Sequence, residues 1–115
     1  MINLELEMKK NILNKLNEFH DNEISVNGWF KKEFLSEFGN YVIKELEALP
    51  VEDEGKYQYG GTIYQVYLDE EETDMFIMET WSRNGSYYSD YYYWFDEMQL
   101  CEQVQRIITD WAVIK

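Results

Sequence analysis

The spacing of apolar residues changes at Pro50, the single proline of the chain, and this change constrains the fold more than any other feature. Before Pro50, apolar residues recur about every fourth position, as in a helix. After Pro50 they alternate with polar residues, as in a strand. The sequence therefore predicts an α+β fold, in which N-terminal helices pack on one face of an antiparallel meander of three to four strands.

Two helices are predicted before Pro50. The first begins near Asn3 and carries one apolar stripe. The members of this stripe are Ile12, Leu13, Leu16 and Phe19. The second follows an N-cap at Asn27, and its apolar residues are Phe30, Phe34, Phe38, Val42, Leu46 and Leu49. Gly39 interrupts this second pattern, so the segment is either one kinked helix or, as we prefer, two helices with a break.

Three strands are predicted after Pro50. Residues 56–68 are rich in tyrosine and β-branched residues, which favour strands, and the glycine pair at 60–61 indicates a bulge or a bend. Residues 75–82 alternate in the same way. Asn84 and Gly85 then predict a type I′ hairpin turn, because both central residues of that turn need positive φ. Residues 86–95 are predicted to form the returning strand.

The C-terminal stretch has two interpretations. Residues 100–111 fit an apolar helical stripe, whereas the β-branched residues of 104–114 also fit a last strand that closes the sheet. Both interpretations stay open, and the strand is the preferred one.

The length of 115 residues predicts one domain, with a helical part at 1–50 and a mainly β part at 51–115. The single cysteine, Cys101, cannot form an intrachain disulfide, which favours a reducing compartment. The N-terminal sequence MINLELEMKK lacks the continuous apolar run of a signal peptide or a membrane helix. We therefore expect a cytoplasmic protein.

Net charge gives the strongest indication of function. The chain has a formal net charge of −13, and residues 51–115 contain fourteen acidic and four basic residues. Such a charge repels nucleic acid and anionic membranes, and it speeds association with a basic protein surface. We expect a partner with a basic surface, no direct nucleic-acid binding and no membrane binding. Solubility alone is the competing explanation of the charge.

Patterns typical of catalysis and metal binding are weak. The single histidine, His20, is far in sequence from Cys101, so nothing pairs a nucleophile with a base. The acidic run DEEETD at 69–74 lacks the glycine and the glutamate that a calcium loop needs at its sixth and twelfth positions, where Asp74 and Thr80 stand. We expect no enzymatic activity, no metal and no cofactor, and DEEETD is predicted to be a solvated turn.

The predicted contact surface combines carboxylates with aromatic rings. Exposed Tyr and Trp supply contact area at low entropic cost and are common in binding hot spots. Alternation in the aromatic strand allows two outward sets: residues 88, 90, 92 and 94, or residues 87, 89, 91, 93 and 95. The candidate residues are Glu52, Asp53, Glu54, Asp69, Glu70, Glu71, Glu72, Asp74, Tyr88, Asp90, Tyr92, Trp94, Asp96 and Glu97.

Carboxylates on such a surface can stand where a partner binds phosphates. B-DNA carries about one negative charge per 1.7 Å of its axis, so a protein that binds DNA offers a basic groove. With DEEETD and YYSDYYYWFDE, this small, acidic, tyrosine-rich chain resembles accessory proteins of phages and mobile elements, among them anti-CRISPR and anti-restriction inhibitors. The resemblance implies an inhibitor, acting in a bacterial host cell, that occupies the nucleic-acid-binding surface of a nuclease or Cas-type effector.

Two alternatives stay open. An immunity protein that neutralises a nuclease toxin would carry the same charge for the same reason. A structural module would instead use the aromatic strand for self-association, for example as a homodimer. Salt distinguishes the classes, because a charge-driven complex weakens as ionic strength rises and an aromatic self-association does not.

Overall fold

The computed structural model describes residues 1–29, 41–85, 92–104 and 111–114. Within these ranges the chain forms two helices and one six-stranded sheet. The helices are α1 (Leu6–Glu18) and α2 (Val26–Trp29), and the strands are β1 (Tyr41–Ala48), β2 (Glu52–Glu54), β3 (Tyr57–Leu68), β4 (Glu71–Asn84), β5 (Tyr92–Phe95) and β6 (Gln99–Cys101). All named strand pairs are antiparallel.

Strand β4 organises the sheet. Strand β3 pairs with it along one edge, and β1 and β2 pair with the far edge of β3. Three short segments share the other edge of β4. Ile2 pairs at Thr73, β6 pairs at residues 76–78, and β5 pairs at residues 81–84. The N-terminal segment and β6 thus pair with the same strand.

The core lies between α1 and one face of this sheet. Because strand residues alternate between faces, every second residue of β3 and β4 points towards the helix. The buried apolar residues are Ile12, Leu16, Val26, Ile43, Tyr64, Val66, Met75, Ile77 and Met98. We call the face that carries Tyr64 and Ile77 the helix face, and the opposite face, which carries Tyr59 and Ser82, the far face.

The predicted fold class is wrong. The sheet has six strands and begins before Pro50, because residues 41–48 form β1 and not a helix. Val42 and Leu46 are four positions apart, and this spacing places two residues on one face of a helix and of a strand alike. Pairing with β3 settles the choice in favour of the strand. Helix α2 has four residues, and residues 30–40 of the predicted second helix lie outside the described ranges.

The two-residue turn of the β3 and β4 hairpin lies at Asp69 and Glu70, and no such turn lies at residues 84–85, where one was predicted. Leu68 pairs with Glu71, so two residues close the hairpin of β3 and β4. Both turn residues have positive φ, 50° and 68°, which is the type I′ arrangement. The acidic residues predicted to form a six-residue turn therefore form a two-residue turn and the start of β4.

Asn84 continues β4 opposite Tyr92 and does not have positive φ. The chain leaves β4 at Gly85, where φ is 138°, and residues 86–91 lie outside the described ranges. In the C-terminal stretch, residue 104 and residues 111–114 are in neither helix nor strand. The middle of the strand predicted there, residues 105–110, is not among the described residues. No helix in the described ranges is long and apolar enough to cross a membrane.

Candidate functional site

Two cross-strand rows on the far face bring carboxylates and aromatic rings together at one end of the sheet. Directly paired residues of an antiparallel sheet project from the same face. The first row is Glu52, Tyr59, Ser82 and Trp94, and the second is Glu54, Tyr57, Asn84 and Tyr92. We call these residues the aromatic platform. The platform spans four neighbouring strands, β2 to β5.

The rings of the platform are exposed. Tyr92 is 77% exposed, Trp94 53%, Tyr57 52% and Tyr59 40%. Tyr64, further along β3 on the helix face, is 4% exposed. Burial of a ring therefore depends on which face of the sheet it occupies and on its distance from α1. Tyr92 and Trp94 were predicted from the sequence as contact residues, but the two tyrosines of β3 were not, because only the pairing of β2 with β3 places them beside carboxylates.

A hydrogen-bonded row on the helix face fixes the strands beneath the platform. Arg83 Nε donates to Gln58 Oε1 (2.6 Å), and Arg83 Nη1 donates to the Tyr93 hydroxyl (2.9 Å). Gln58 Nε2 in turn donates to Asp53 Oδ2 (3.2 Å). The guanidinium carbon also lies 5.2 Å from the ring centroid of Trp81. These contacts connect β2, β3, β4 and β5, so the platform rests on a fixed layer.

Trp81 packs against the bare backbone of β3. A Cβ atom at Gly60 would lie 2.4 Å from Trp81 Cζ2, so no larger residue fits there without displacing the ring. Tyr93 meets Trp81 edge-on at 5.6 Å and stacks on Phe95 at 5.9 Å. Gly60 and Gly61 pair in register with β4, so the bulge predicted at this point does not form. The register of the pairing between β3 and β4 shifts instead between Gln65 and Tyr67 of β3.

The predicted carboxylates do not gather in one place. Residues 52–54 lie in β2, beside the platform, whereas residues 69–72 lie at the opposite end of the β3 and β4 hairpin. At roughly 3.3 Å per residue, β3 separates the two groups by about 36 Å. Asp96 and Glu97 follow β5 and are exposed, and residues 88 and 90 lie outside the described ranges.

Asp74 is a structural residue. Its Oδ1 accepts the Leu4 N–H (2.8 Å), and its Oδ2 lies 3.2 Å from Lys9 Nζ. The hydrogen bond from Leu4, helped by Lys9, lowers the pKa of Asp74 from its usual value. Asp74 thus attaches the N-terminal segment to β4. Its neighbour Thr73 is fully buried and donates to the Val66 carbonyl (2.6 Å). The prediction that the whole acidic run is solvated is therefore wrong at this end.

Glu79 is a buried carboxylate that was not among the residues predicted from the sequence. It is 1% exposed, on the helix face of β4. Ser25 Oγ donates to its Oε1 (2.7 Å), and the Val26 N–H donates to its Oε2 (2.7 Å), which caps the start of α2. Burial raises the pKa of Glu79, and the two hydrogen bonds and the charge of His20 oppose that effect. In the sequence, Glu79 continues the alternating positions of Met75 and Ile77, and this pattern indicates that its side chain lies on the buried face of the strand.

The described residues present little catalytic chemistry. Asn22 Nδ2 lies 3.2 Å from His20 Nε2, and His20 Nδ1 is buried without a hydrogen-bond partner in the described part of the chain. Burial raises the pKa of the Cys101 thiol, which reduces its thiolate fraction and hence its reactivity. No group of three or more His, Cys, Asp and Glu side chains in these ranges is arranged to hold a metal ion. The absence of enzymatic activity stays a prediction.

Comparison with known proteins identifies the family. The sequence profile of a family described as "Phage T4 Y04K protein" matches residues 1–114. The chain belongs to this family. Membership in the Y04K family confirms the phage origin that the resemblance implied, and the family's description states no activity and no partner. Comparison with curated proteins and with solved structures found no match.

Proposed function

We propose that this Y04K-family protein binds a basic surface of a partner protein and thereby blocks the access of that partner to nucleic acid. The contact surface is the aromatic platform, and the partner is a nuclease or Cas-type effector. The observation that supports this proposal most is the exposure of four rings beside Glu52 and Glu54 on one face of the sheet.

The rings supply the affinity. Contiguous exposed apolar surface is uncommon on proteins that act alone and often marks an interaction site. Tyr and Trp also lose little conformational entropy when they are buried in an interface, since each has two side-chain torsions. The strands beneath the platform are tied together through Arg83, so the surface is ordered before the partner arrives and less ordering is needed on binding.

The carboxylates supply selectivity for a basic partner. Glu52 and Glu54 flank the rings, and the net charge of −13 attracts a positive surface over a longer range. A standard interface buries about 800 Å² per partner and spans roughly 30 Å. Residues 69–72, at the other end of the hairpin, would therefore steer the encounter without forming part of a contact centred on the platform.

A capture experiment tests the identity of the partner. Tagged protein is incubated with lysate from phage-infected bacteria, washed at low and at high salt, and the bound proteins are identified by mass spectrometry. We expect a nuclease or nucleic-acid-binding complex that is released at high salt, and we expect DNA cleavage by that purified partner to stop at one equivalent of the phage protein. Recovery of the phage protein alone would favour self-association instead.

Ring variants test the contact surface. Y92A together with W94A should abolish inhibition of the captured partner, because two exposed rings of the platform are lost. Y67A is the matched control, since Tyr67 also lies on the far face but at the opposite end of β3. Inhibition that survives the platform double variant would contradict the proposal.

Charge variants separate contact from steering. E52K with E54K should abolish inhibition, because both residues lie in the platform. E70K with E71K should slow association and leave the dissociation rate unchanged, since rim and remote charges act mainly on the on-rate. Equal effects of the two pairs on the dissociation rate would contradict the assignment of the contact to the platform.

A further inference from the structure

A groove of about 640 Å³ lies along the first row of the platform and extends to Thr80 and Asp96. Tyr59, Thr80 and Ser82 contribute to its lining, and they belong to the two central strands β3 and β4. Glu52 and Asp96 border it on opposite sides, because β2 pairs with the outer edge of β3 and the Asp96 N–H donates to the Thr80 carbonyl on the outer edge of β4 (2.9 Å). The groove therefore has a carboxylate on each side.

Both sides of the groove are held in place. Thr80 Oγ1 donates to Asp96 Oδ2 (2.8 Å), which fixes this carboxylate at its rim. On the other side, the Leu49 N–H donates to the Gly61 carbonyl (2.9 Å), and Leu49 Cδ1 lies 2.9 Å from the position that a Cβ of Gly61 would occupy. Leu49 thus uses the space left by the glycine and forms an apolar wall. The lining of the groove is mainly apolar and includes Leu49, Pro50 and Tyr59, and the carboxylates of Glu52 and Asp96 stand at its two sides.

We propose that this groove receives an arginine side chain of the partner protein, with its guanidinium between Glu52 and Asp96. This inference deepens the proposed function and rests on it. Glu52 lies in β2 and Asp96 directly follows β5, so the two acids are three strand spacings apart, about 14 Å. Two acidic side chains and one guanidinium between them can bridge this distance.

The chemistry of the groove favours arginine over lysine. A guanidinium is planar, presents five N–H donors in a fixed arrangement and stacks on aromatic rings. The groove offers two carboxylates, the hydroxyls of Thr80 and Ser82, and the ring of Tyr59. The N–H groups around the guanidinium plane can therefore donate to oxygen atoms on several sides, while the plane stacks on the ring. A lysine ammonium is compact and strongly hydrated, and it would satisfy only one side of the groove at a time.

The test uses small arginine probes and no partner protein. Nitrogen-15-labelled full-length chain is titrated with N-acetyl-arginine amide, N-acetyl-lysine amide and N-acetyl-citrulline amide, the last being a neutral analogue of arginine of similar shape. We expect saturable amide shifts at Thr80, Ser82 and Asp96 with the arginine probe, with a dissociation constant in the millimolar range. Binding should be roughly fivefold weaker for the lysine probe and lost for citrulline.

Variants assign the shifts to the groove. E52Q and D96N remove one charge each with little change of shape, and each should weaken the arginine probe about tenfold. E70Q, a matched loss of charge at the other end of the hairpin, should leave the affinity unchanged. The amide spectrum of each variant reports whether the fold is retained.

The outcomes separate this inference from the proposed function. Absence of saturable shifts in the groove, equal binding of arginine and citrulline, or unchanged binding to E52Q and D96N would each overturn the arginine site. None of these results depends on a nuclease, and the platform contact is tested separately by the inhibition assay with Y92A and W94A. Saturable binding that both groove variants weaken supports the inference.

Discussion

Asn17 binds the backbone of Met98 at both of its polar groups. Asn17 Nδ2 donates to the Met98 carbonyl (3.0 Å), and the Met98 N–H donates to Asn17 Oδ1 (3.0 Å). Met98 lies between β5 and β6, and its side chain is buried in the core. A side-chain amide from α1 thus satisfies two backbone groups that a neighbouring strand would otherwise pair, and it joins the helix to the edge of the sheet.

Replacement of Asn17 by alanine is expected to lower the free energy of unfolding by about 2–3 kcal/mol, because two backbone groups beside the core lose their partners. Urea denaturation at neutral pH measures the change. N14A, on an exposed position of the same helix, should leave stability unchanged or slightly raised, since alanine favours helix. A similar loss in both variants would show that the bonds to Met98 do not matter.

Glu79 should make the stability of the protein depend on pH. Burial raises the pKa of Glu79 above its ordinary value of 4.5, so over the interval above 4.5 the folded chain keeps a proton that the unfolded chain has released. Stability therefore falls as pH rises through this interval and levels off above the folded pKa. E79Q cannot titrate and keeps an amide that can bond Ser25 and Val26, so it should lack this fall.

Denaturation curves from about pH 4 to about pH 8 check this prediction. The free energy of unfolding of the natural chain minus that of E79Q should decrease as pH rises. A constant or increasing difference would mean that Glu79 is already ionised in the folded protein at low pH.

Replacement of Glu70 by glycine should stabilise the turn. Glu70 has φ of 68°, a conformation that is strained for a residue with a Cβ and relaxed for glycine. We expect a gain of about 0.5–1 kcal/mol in the free energy of unfolding, measured by thermal or urea denaturation. E70A keeps the Cβ and removes the charge. An equal gain with alanine would assign the effect to repulsion among residues 69–72 instead of to backbone strain.

Gly60 and Trp81 should show strong energetic coupling. Because a Cβ at Gly60 would lie 2.4 Å from the Trp81 ring, G60A is expected to destabilise the protein by about 2 kcal/mol. In a W81A background the same change has room, so its effect should be close to zero. A double-mutant cycle measured by denaturation gives the coupling. Equal losses in both backgrounds would place the strain elsewhere.

Sequence patterns correctly predicted the helix and the strands whose apolar spacing fits a single secondary structure. Alternation and β-branched content indicated strands at 56–68 and 75–82, which lie mostly within β3 and β4. The apolar stripe that includes Ile12 and Leu16 indicated α1. The pattern around Val42 was ambiguous, because a spacing of four fits both periods, and only the pairing of β1 with β3 resolves it.

The candidate site was less accessible to sequence reasoning because it depends on register. Tyr57 and Tyr59 lie beside carboxylates only because β2 folds back on β3 through a two-residue turn at Gly55 and Lys56, where Gly55 has φ of 79°. Gly55 is the local signal for this turn, but the strands predicted after Pro50 did not include residues 52–54. The acidic residues could be counted from the sequence, but their division between two ends of a hairpin follows from the length of β3. Likewise, Asn84 and Gly85 have the composition of a type I′ turn, yet Asn84 pairs with Tyr92 as part of a strand.

The shared edge of β4 has a consequence for synthesis on the ribosome. Residues 2–4 are made before their partners in β4, and Asp74 emerges about seventy residues after Leu4. The hairpin of β3 and β4 can form as soon as it leaves the ribosome, but β5 and β6, which cover the rest of its free edge, are made afterwards. A nascent chain that stalls before residue 92 therefore presents an unpaired strand edge, which is a template for aggregation.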